Sequence, residues 1–348
     1  MKAMLERNTD EQTAETLPEP TVTSRNHSHS KDRGSWTRIS ATAGAAAWML
    51  IAILARSRTV PVGQIELLFL FAPLVIVPLG LELGRTIAGQ QCLIEVAKRL
   101  QPVGAALAVL AFLLPLGEKA ALAASGWMVV CLLIAASSIV NLLRGSGEGQ
   151  TRTVAIVLSL ARIDLVVGGA WLVASRWGMK PMGIQEPIGL LTAVHFHFAG
   201  FATSTIAAAS LKSGRTRQRW FQVLALAIAA LPYIVATGFV ISPLLKMIAA
   251  VLFSLSMAAL AVTLRSDGTR AQERTARVLL QIAAGAIFAG MMLSGAYAMA
   301  DFVGSDSLTI PQMARTHGIL NAVGFCLCGL LGWLIESEPS GKIERDSE

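Results

Sequence analysis

Long apolar blocks, rather than amphipathic periods, run through this sequence from about residue 38 to residue 335. A block of about 18 or more apolar residues with few charges is long enough to cross a bilayer as a helix. Of the 348 residues, 54% are hydrophobic and only 15% are charged, which is too little polar surface for a soluble protein of this size. The sequence therefore predicts an all-α, polytopic transmembrane helix bundle.

The blocks predict about ten spans and three regions. These regions are a disordered cytoplasmic N-terminal tail (1–36), the transmembrane bundle (37–336) and a cytoplasmic C-terminal tail (337–348). Because the first apolar run begins only near Ile39, we expect span one to be a retained signal anchor. The mixed segment 85–101 is predicted to lie as an interfacial helix. The predicted spans are 38–55, 62–84, 102–117, 120–143, 152–174, 188–211, 219–240, 244–264, 276–299 and 312–335.

Lysine and arginine residues are unequally divided between the two sides of the predicted bundle. With the N-terminus inside, 21 of the 29 fall on the inner side and 7 on the outer side. Cytoplasmic loops carry such an excess of positive charge, so we expect both termini in the cytoplasm and the bundle in a bacterial inner membrane. The net charge of +7 comes from these loops, and the expected partner is the lipid bilayer rather than nucleic acid.

Ten spans can also be divided into five and five, which is the arrangement of an inverted repeat in many secondary transporters. The support is one local match, because Arg162 and Asp164 in span five occupy places equivalent to Arg315 and His317 in span ten. A match this small leaves the repeat open.

Ionisable residues inside spans are costly to desolvate, so each is a candidate for function or for pairing. Arg162 and Asp164 lie in the middle of span five, two residues apart and therefore on different faces. We expect each of them to find a partner on another span. The two residues then either form ion pairs that hold the helices together or line a path for the substrate.

Histidines mark spans six and ten. His195 and His197 lie about 200° apart around a regular helix, so one helix face cannot present both to one metal. Either the helix unwinds near Gly200, or each histidine serves a different site, as a hydrogen-bonded neutral group, a metal ligand or part of a proton path. His317 and Asn321, four residues apart, share one face of span ten and can hydrogen-bond between helices.

Depth along the spans brings most of these residues together. Counting from the span ends places Glu66 and the three membrane histidines in the outer half and Asp164 near the midplane, whereas Glu82 lies near the inner side. We therefore expect a shared polar pocket that opens outward, with scattered single pairs as the alternative. The residues predicted for the substrate or ion path are Glu66, Arg162, Asp164, His195, His197, Arg315, His317 and Asn321.

Two sequence strings resemble a known family. HFHFAGF (195–201) and RTHGILNAVGF (315–325), in a chain of about ten spans, resemble the YndJ-like family of bacterial membrane proteins. The resemblance covers roughly residues 38–335 and implies a bacterial inner-membrane protein. That family is functionally uncharacterised, so the resemblance implies no catalytic residues.

A second likeness is local to span six. The H-F-H string is similar to the H-F-H-Y string of haem-copper oxidase core subunits, where the two histidines ligate different haems. Full oxidase chemistry would need several more membrane histidines, and only His317 is present besides these two. What the likeness allows is a haem or metal ion held by His317 together with His195 or His197.

Two functions follow from these features. The first is a transporter or permease for an unknown small molecule or ion, with no cofactor. The alternative is a haem- or metal-binding membrane protein, for redox chemistry or sensing, that uses His195, His197 and His317. An enzyme is the weakest interpretation, because the sequence contains no nucleophile elbow, H-E-x-x-H string or phosphate-binding loop.

Overall fold

The computed structural model describes residues 25–88, 92–144, 151–214, 219–305 and 308–338, which are helical apart from short connections and contain no strand. Ten of the described helices are long and apolar enough to cross a membrane, which confirms the predicted helix bundle. The helices are α1 (Arg25–Arg56), α2 (Gln64–Ala88), α3 (Cys92–Leu113), α4 (Glu118–Arg144), α5 (Arg152–Trp177), α6 (Ile188–Lys212), α7 (Arg219–Ile241), α8 (Pro243–Thr269), α9 (Arg274–Phe302) and α10 (Ile310–Glu336).

Helix α1 begins well before its apolar part. Its backbone is helical from Arg25, within the region 1–36 that the sequence predicts to be a tail. Once the apolar part is helical, each added residue extends an existing helix instead of nucleating a new one. Residues 1–24 and 339–348 lie outside the described residues, and the predictions for the two tails stay predictions there.

Helices α2 and α6 form the centre of the bundle. In the most apolar stretch of each helix, 94% of the residues are buried in α2 and 72% in α6, compared with 11% in α1. Helix α2 packs against α1, α3, α6 and α10. Its apolar residues face all sides, and a helix of that kind is stable only when neighbours surround it.

The ends of the bundle are defined by the direction of the chain. Because each helix crosses the bundle and the connections are short, all even-numbered helices begin at the end where α1 finishes. We call this the far end and the opposite one the near end.

Three helices contain wide π-helical turns. They lie at Ala72–Ile76 in α2, at Phe196–Ala202 in α6, and at Ala314–Gly318 and Leu320–Leu327 in α10. The turn of α2 contains Pro73, which lacks the N–H that a regular helix needs. The turn of α6 packs against those of α2 and α10. Such turns are rare and often occur at functional sites, so the centre of the bundle is a candidate location for a functional site.

The prediction of an interfacial helix at 85–101 is wrong. Helix α2 continues to Ala88, and α3 begins at Cys92. The whole of α3, Cys92–Leu113, is long and apolar enough to be a membrane span. The predicted third span (102–117) therefore began too late. Two of the polar residues that suggested a surface position, Lys98 and Gln101, are buried, and Lys98 lies near Glu82 of α2.

Lys98 and Glu82 belong to what we call the Glu82 network, at the near end of α1, α2 and α3. The Glu82 side chain is 2% exposed and accepts hydrogen bonds from Arg85 Nη2 at 2.5 Å and from Thr37 Oγ1 at 2.7 Å. Lys98 Nζ lies 3.7 Å from Glu82 Oε2 and 3.2 Å from Glu95 Oε1. Glu82 thus joins three helices, which explains why it did not fit the predicted outer pocket.

Candidate functional site

A cavity of about 480 Å³ opens among helices α6 to α10, with one wall residue, Leu68, from α2. It lies in the half of the bundle toward the far end, because its lining residues are near the starts of α6, α8 and α10 and near the ends of α7 and α9. We call it the far-end cavity. Most of its wall is aliphatic, aromatic and methionine side chains, so the few polar groups that reach it define its chemistry.

His195 is one of these polar groups. Its Nδ1 lies 2.7 Å from the carbonyl oxygen of Leu191 on the preceding turn of α6, so Nδ1 carries the hydrogen and donates it. The remaining Nε2 is then a hydrogen-bond acceptor. The residue is exposed although it lies inside a span, because it lines the cavity.

His317 and Asn321 face the same cavity from α10. Nδ1 of His317 donates to the carbonyl oxygen of Gly290 on α9 at 2.9 Å, and the amide nitrogen of Asn321 donates to Nε2 of His317 at 3.0 Å. Both ring nitrogens of His317 are therefore engaged. Oδ1 of Asn321 is buried without a hydrogen-bond partner among the described residues, so it is a second available acceptor.

An ion pair that the sequence pattern did not predict lies on the cavity wall toward the far end. Nζ of Lys246, from the first turn of α8, lies 2.7 Å from Oδ2 of Asp301 near the end of α9. The same Nζ lies 4.9 Å from the ring centroid of Phe239. The position of Lys246 at the start of an apolar span was the signal that could have identified it.

His197 is separated from the cavity. It is fully buried, accepts a hydrogen bond from the indole nitrogen of Trp127 at 2.9 Å and donates one to the carbonyl oxygen of Ala193 at 2.8 Å. The two histidines of α6 thus lie in different surroundings, as their angular separation predicts. With both nitrogens bonded, His197 offers no free lone pair to a metal.

The residues present do not fit a bis-histidine haem or a metal ion. His197 and His317 use both ring nitrogens in hydrogen bonds, which leaves Nε2 of His195 as the free imidazole lone pair of the three. No group of three or more His, Cys, Asp or Glu residues within the described ranges could hold a metal ion. The three histidines are better explained as hydrogen-bonding groups.

Asp164 lies near the middle of α5 and is completely buried. Neither carboxyl oxygen has a hydrogen-bond partner in the part of the chain that the structure describes, so the expected ion pair on another span is not present there. The hydroxyl of Tyr233 on α7 is close enough to interact electrostatically with the carboxyl group. Gly200, in the wide turn of α6, packs directly against the Asp164 side chain.

Arg162 points away from Asp164, as the predicted difference in faces requires. It is buried, donates from Nη1 to Ser138 Oγ on α4 at 3.3 Å and packs beside Gly84 of α2. It does not line the far-end cavity. Arg162 therefore connects α5 to α4 and α2.

Glu66 and Arg315 lie at the far end but outside the cavity wall. Glu66, in the first turn of α2, is half-buried within electrostatic range of Arg176 at the end of α5. Arg315 is exposed and donates from Nε to Gln64 Oε1 at 3.0 Å. The shared pocket thus contains His195, His317 and Asn321 of the predicted residues.

Comparison with known proteins decides the family. The sequence model of the YndJ-like protein family matches residues 67–325, which includes α3 to α9, all but the first three residues of α2, and most of α10. The chain belongs to the YndJ-like family. Both strings that carried the resemblance fall within the match.

One YndJ-like relative is the uncharacterized membrane protein YndJ of Bacillus subtilis (strain 168). It is 29% identical over 236 residues, which make up 68% of this chain and 41% of the relative. The chain therefore spans less than half the length of that relative. No solved structure matches this chain.

The two YndJ-like strings coincide with wide turns at the cavity. HFHFAGF contains six residues of the π-helical turn Phe196–Ala202, and RTHGILNAVGF contains most of the turns Ala314–Gly318 and Leu320–Leu327. The first string supplies His195 and the second His317 and Asn321 to the cavity wall. The segments that identified the family are thus the segments that build the site.

Proposed function

We propose that the protein is a transporter or permease in the bacterial cytoplasmic membrane, with both termini in the cytoplasm and the far-end cavity as its substrate site. The observation that carries this proposal is the cavity of about 480 Å³ between the membrane-spanning helices. An apolar pocket of this size with a few convergent polar groups is typical of a site for a small molecule.

The helices around the cavity support movement of a substrate. Transporter sites often lie where spanning helices are interrupted, because the irregular backbone can change shape there. Helices α6 and α10 have their wide turns at the cavity wall. In the proposed path, His195, His317 and Asn321 bind the polar part of the substrate, and the pair of Lys246 and Asp301 lies at the entrance.

Accessibility of the cavity from both sides of the membrane tests this proposal. Ser294 lines the cavity and is half-buried, so Ser294→Cys in a background without Cys92, Cys131, Cys326 and Cys328 introduces one small probe. A membrane-impermeant methanethiosulfonate reagent is then added to right-side-out and to inverted vesicles. A transporter exposes its site alternately, so we expect labelling from both faces, faster from the far end.

The matched control is Ser137→Cys in the same background, because Ser137 is buried in α4 away from the cavity. It should remain unlabelled from either face. Labelling of Ser294→Cys from one face alone would show a one-sided pocket and would contradict transport.

A further inference from the structure

We propose that the carboxyl group of Asp164 is a proton-binding site that exchanges its proton with the far-end cavity through Tyr233. This inference rests on the proposed function, because a proton bound there would couple proton movement to substrate movement. The proton is held on a carboxyl oxygen of Asp164 in the conformation described, and it leaves as H⁺ to water in the cavity. No other bond forms or breaks.

The surroundings of Asp164 favour the neutral acid. The side chain is 0% exposed, and both of its oxygens lack a hydrogen-bond partner within the described ranges. An ionised carboxylate buried without a partner is very costly, and a protonated one far less so. Ionisable groups of this kind inside membrane spans commonly carry protons.

The wide turn of α6 lies directly against the carboxyl group. A Cβ atom on Gly200 would come within 2.7 Å of Cβ, Cγ and Oδ2 of Asp164, so only a glycine permits this approach. Gly200 belongs to the same turn that begins at Phe196 and lines the cavity. A change in this turn would therefore alter the surroundings of Asp164 and the shape of the cavity together.

Tyr233 supplies the route between the carboxyl group and the cavity. Its hydroxyl lies within interaction range of the Asp164 carboxyl group, and a hydroxyl can both accept and donate a hydrogen. The ring packs edge-on against Phe196 at 5.1 Å between centroids, and Phe196 lines the cavity. Tyr233 therefore contacts both the buried acid and a residue of the cavity wall.

The other titratable groups near this part of α5 do not pair with the Asp164 carboxyl group. They are His197 on α6, Cys131 on α4 and Arg162 on α5 itself, and none of them forms a hydrogen bond or an ion pair with the Asp164 oxygens. A metal ion in place of the proton would need several ligands around the carboxyl group. No cluster of three or more His, Cys, Asp or Glu residues exists in the described ranges, which favours the proton.

Infrared spectroscopy of the full-length protein at neutral pH tests the proposal. The protein is purified in a maltoside detergent, which has no carbonyl group, and the C=O stretching band of protonated carboxylic acids is recorded in ordinary and in heavy water. We expect wild-type protein to show a band that shifts in heavy water and is lost in Asp164→Asn. The matched control Asp301→Asn should keep the band, because that acid is paired with Lys246.

A second variant tests the proposal even if the first one does not fold. If Asp164→Asn fails to fold, Tyr233→Phe should shift the frequency of the band, because it removes the hydroxyl beside the carboxyl group. An unshifted band in Tyr233→Phe would contradict the proposed route.

Two results would overturn the inference. In the first, a folded Asp164→Asn variant keeps the C=O band of the wild-type protein. In the second, sodium chloride abolishes the band at constant pH, which would show that Asp164 binds a metal ion instead of a proton. The infrared band does not depend on the labelling of Ser294→Cys. Labelling from one face with the band present would thus contradict transport alone.

Discussion

Two buried polar side chains at the centre of this protein, His197 and Asp164, pack closely against glycines. A Cβ atom on Gly168 would come within 2.5 Å of His197 Nδ1, and one on Gly200 within 2.7 Å of Asp164. Any larger residue would displace the polar group or the helix that carries it. Glycine at these positions is thus required by space rather than by backbone conformation.

Gly168→Ala should therefore lower the stability of the folded protein. The ring of His197 is held by Trp127 and Ala193 and cannot move aside cheaply, so we expect a loss of about 1–3 kcal/mol, the usual cost of overpacking. Thermal unfolding in detergent measures it. The control is Gly285→Ala, which meets nothing within 4 Å and should be neutral or stabilising by up to ~1 kcal/mol. Equal melting temperatures for both variants would contradict the close fit.

Single-residue properties of the site were predictable from the sequence, but its contacts were not. The separation of His195 from His197 follows from helical geometry. The bond from Trp127 to His197 and the pair of Lys246 with Asp301 join residues far apart in the chain. Spans identified by hydropathy do not say which helices are neighbours, so such pairs could not be deduced.

At the scale of elements, the apolar blocks predicted nine spans closely and misplaced the start of the third. Glu95 and Lys98 suggested an aqueous surface there. Their charges are instead balanced inside the bundle, where Lys98 lies near Glu82 of α2. Hydropathy alone predicts that a charged residue is exposed. It contains no information about an oppositely charged residue on another helix that would allow burial.

Glu82→Gln should separate α1, α2 and α3 at the near end. The change removes the negative charge of Glu82, which lies close to the buried Lys98 and to the largely buried Arg85. Breaking a buried ion pair from one side costs about 3–5 kcal/mol, which thermal unfolding would detect. Arg38→Gln is the control, because its pair with Glu338 is about half exposed and such pairs contribute ~1 kcal/mol or less. Similar losses in both variants would show that the Glu82 network is not structural.

For the whole molecule, the orientation in the membrane decides which compartment the cavity faces. Four arginines, at positions 265, 270, 274 and 277, surround the connection between α8 and α9 at the near end. We expect alkaline phosphatase fused after residue 271 to be inactive, because positive loops stay in the cytoplasm. The same enzyme fused after residue 305, at the far end, should be active. The reverse pattern would place the cavity on the cytoplasmic side and contradict the proposed orientation.

The wide turn of α6 also determines where this helix can change in length. A π turn closes over i to i+5 and thus holds one residue more than an α turn. A chain shortened by one residue between Phe196 and Ala202 could form an uninterrupted α-helix whose two halves keep their orientation. A deletion anywhere else in α6 would rotate every following side chain by about 100° and turn the inner face outward. This central helix can therefore lose a residue only at the turn that builds the site.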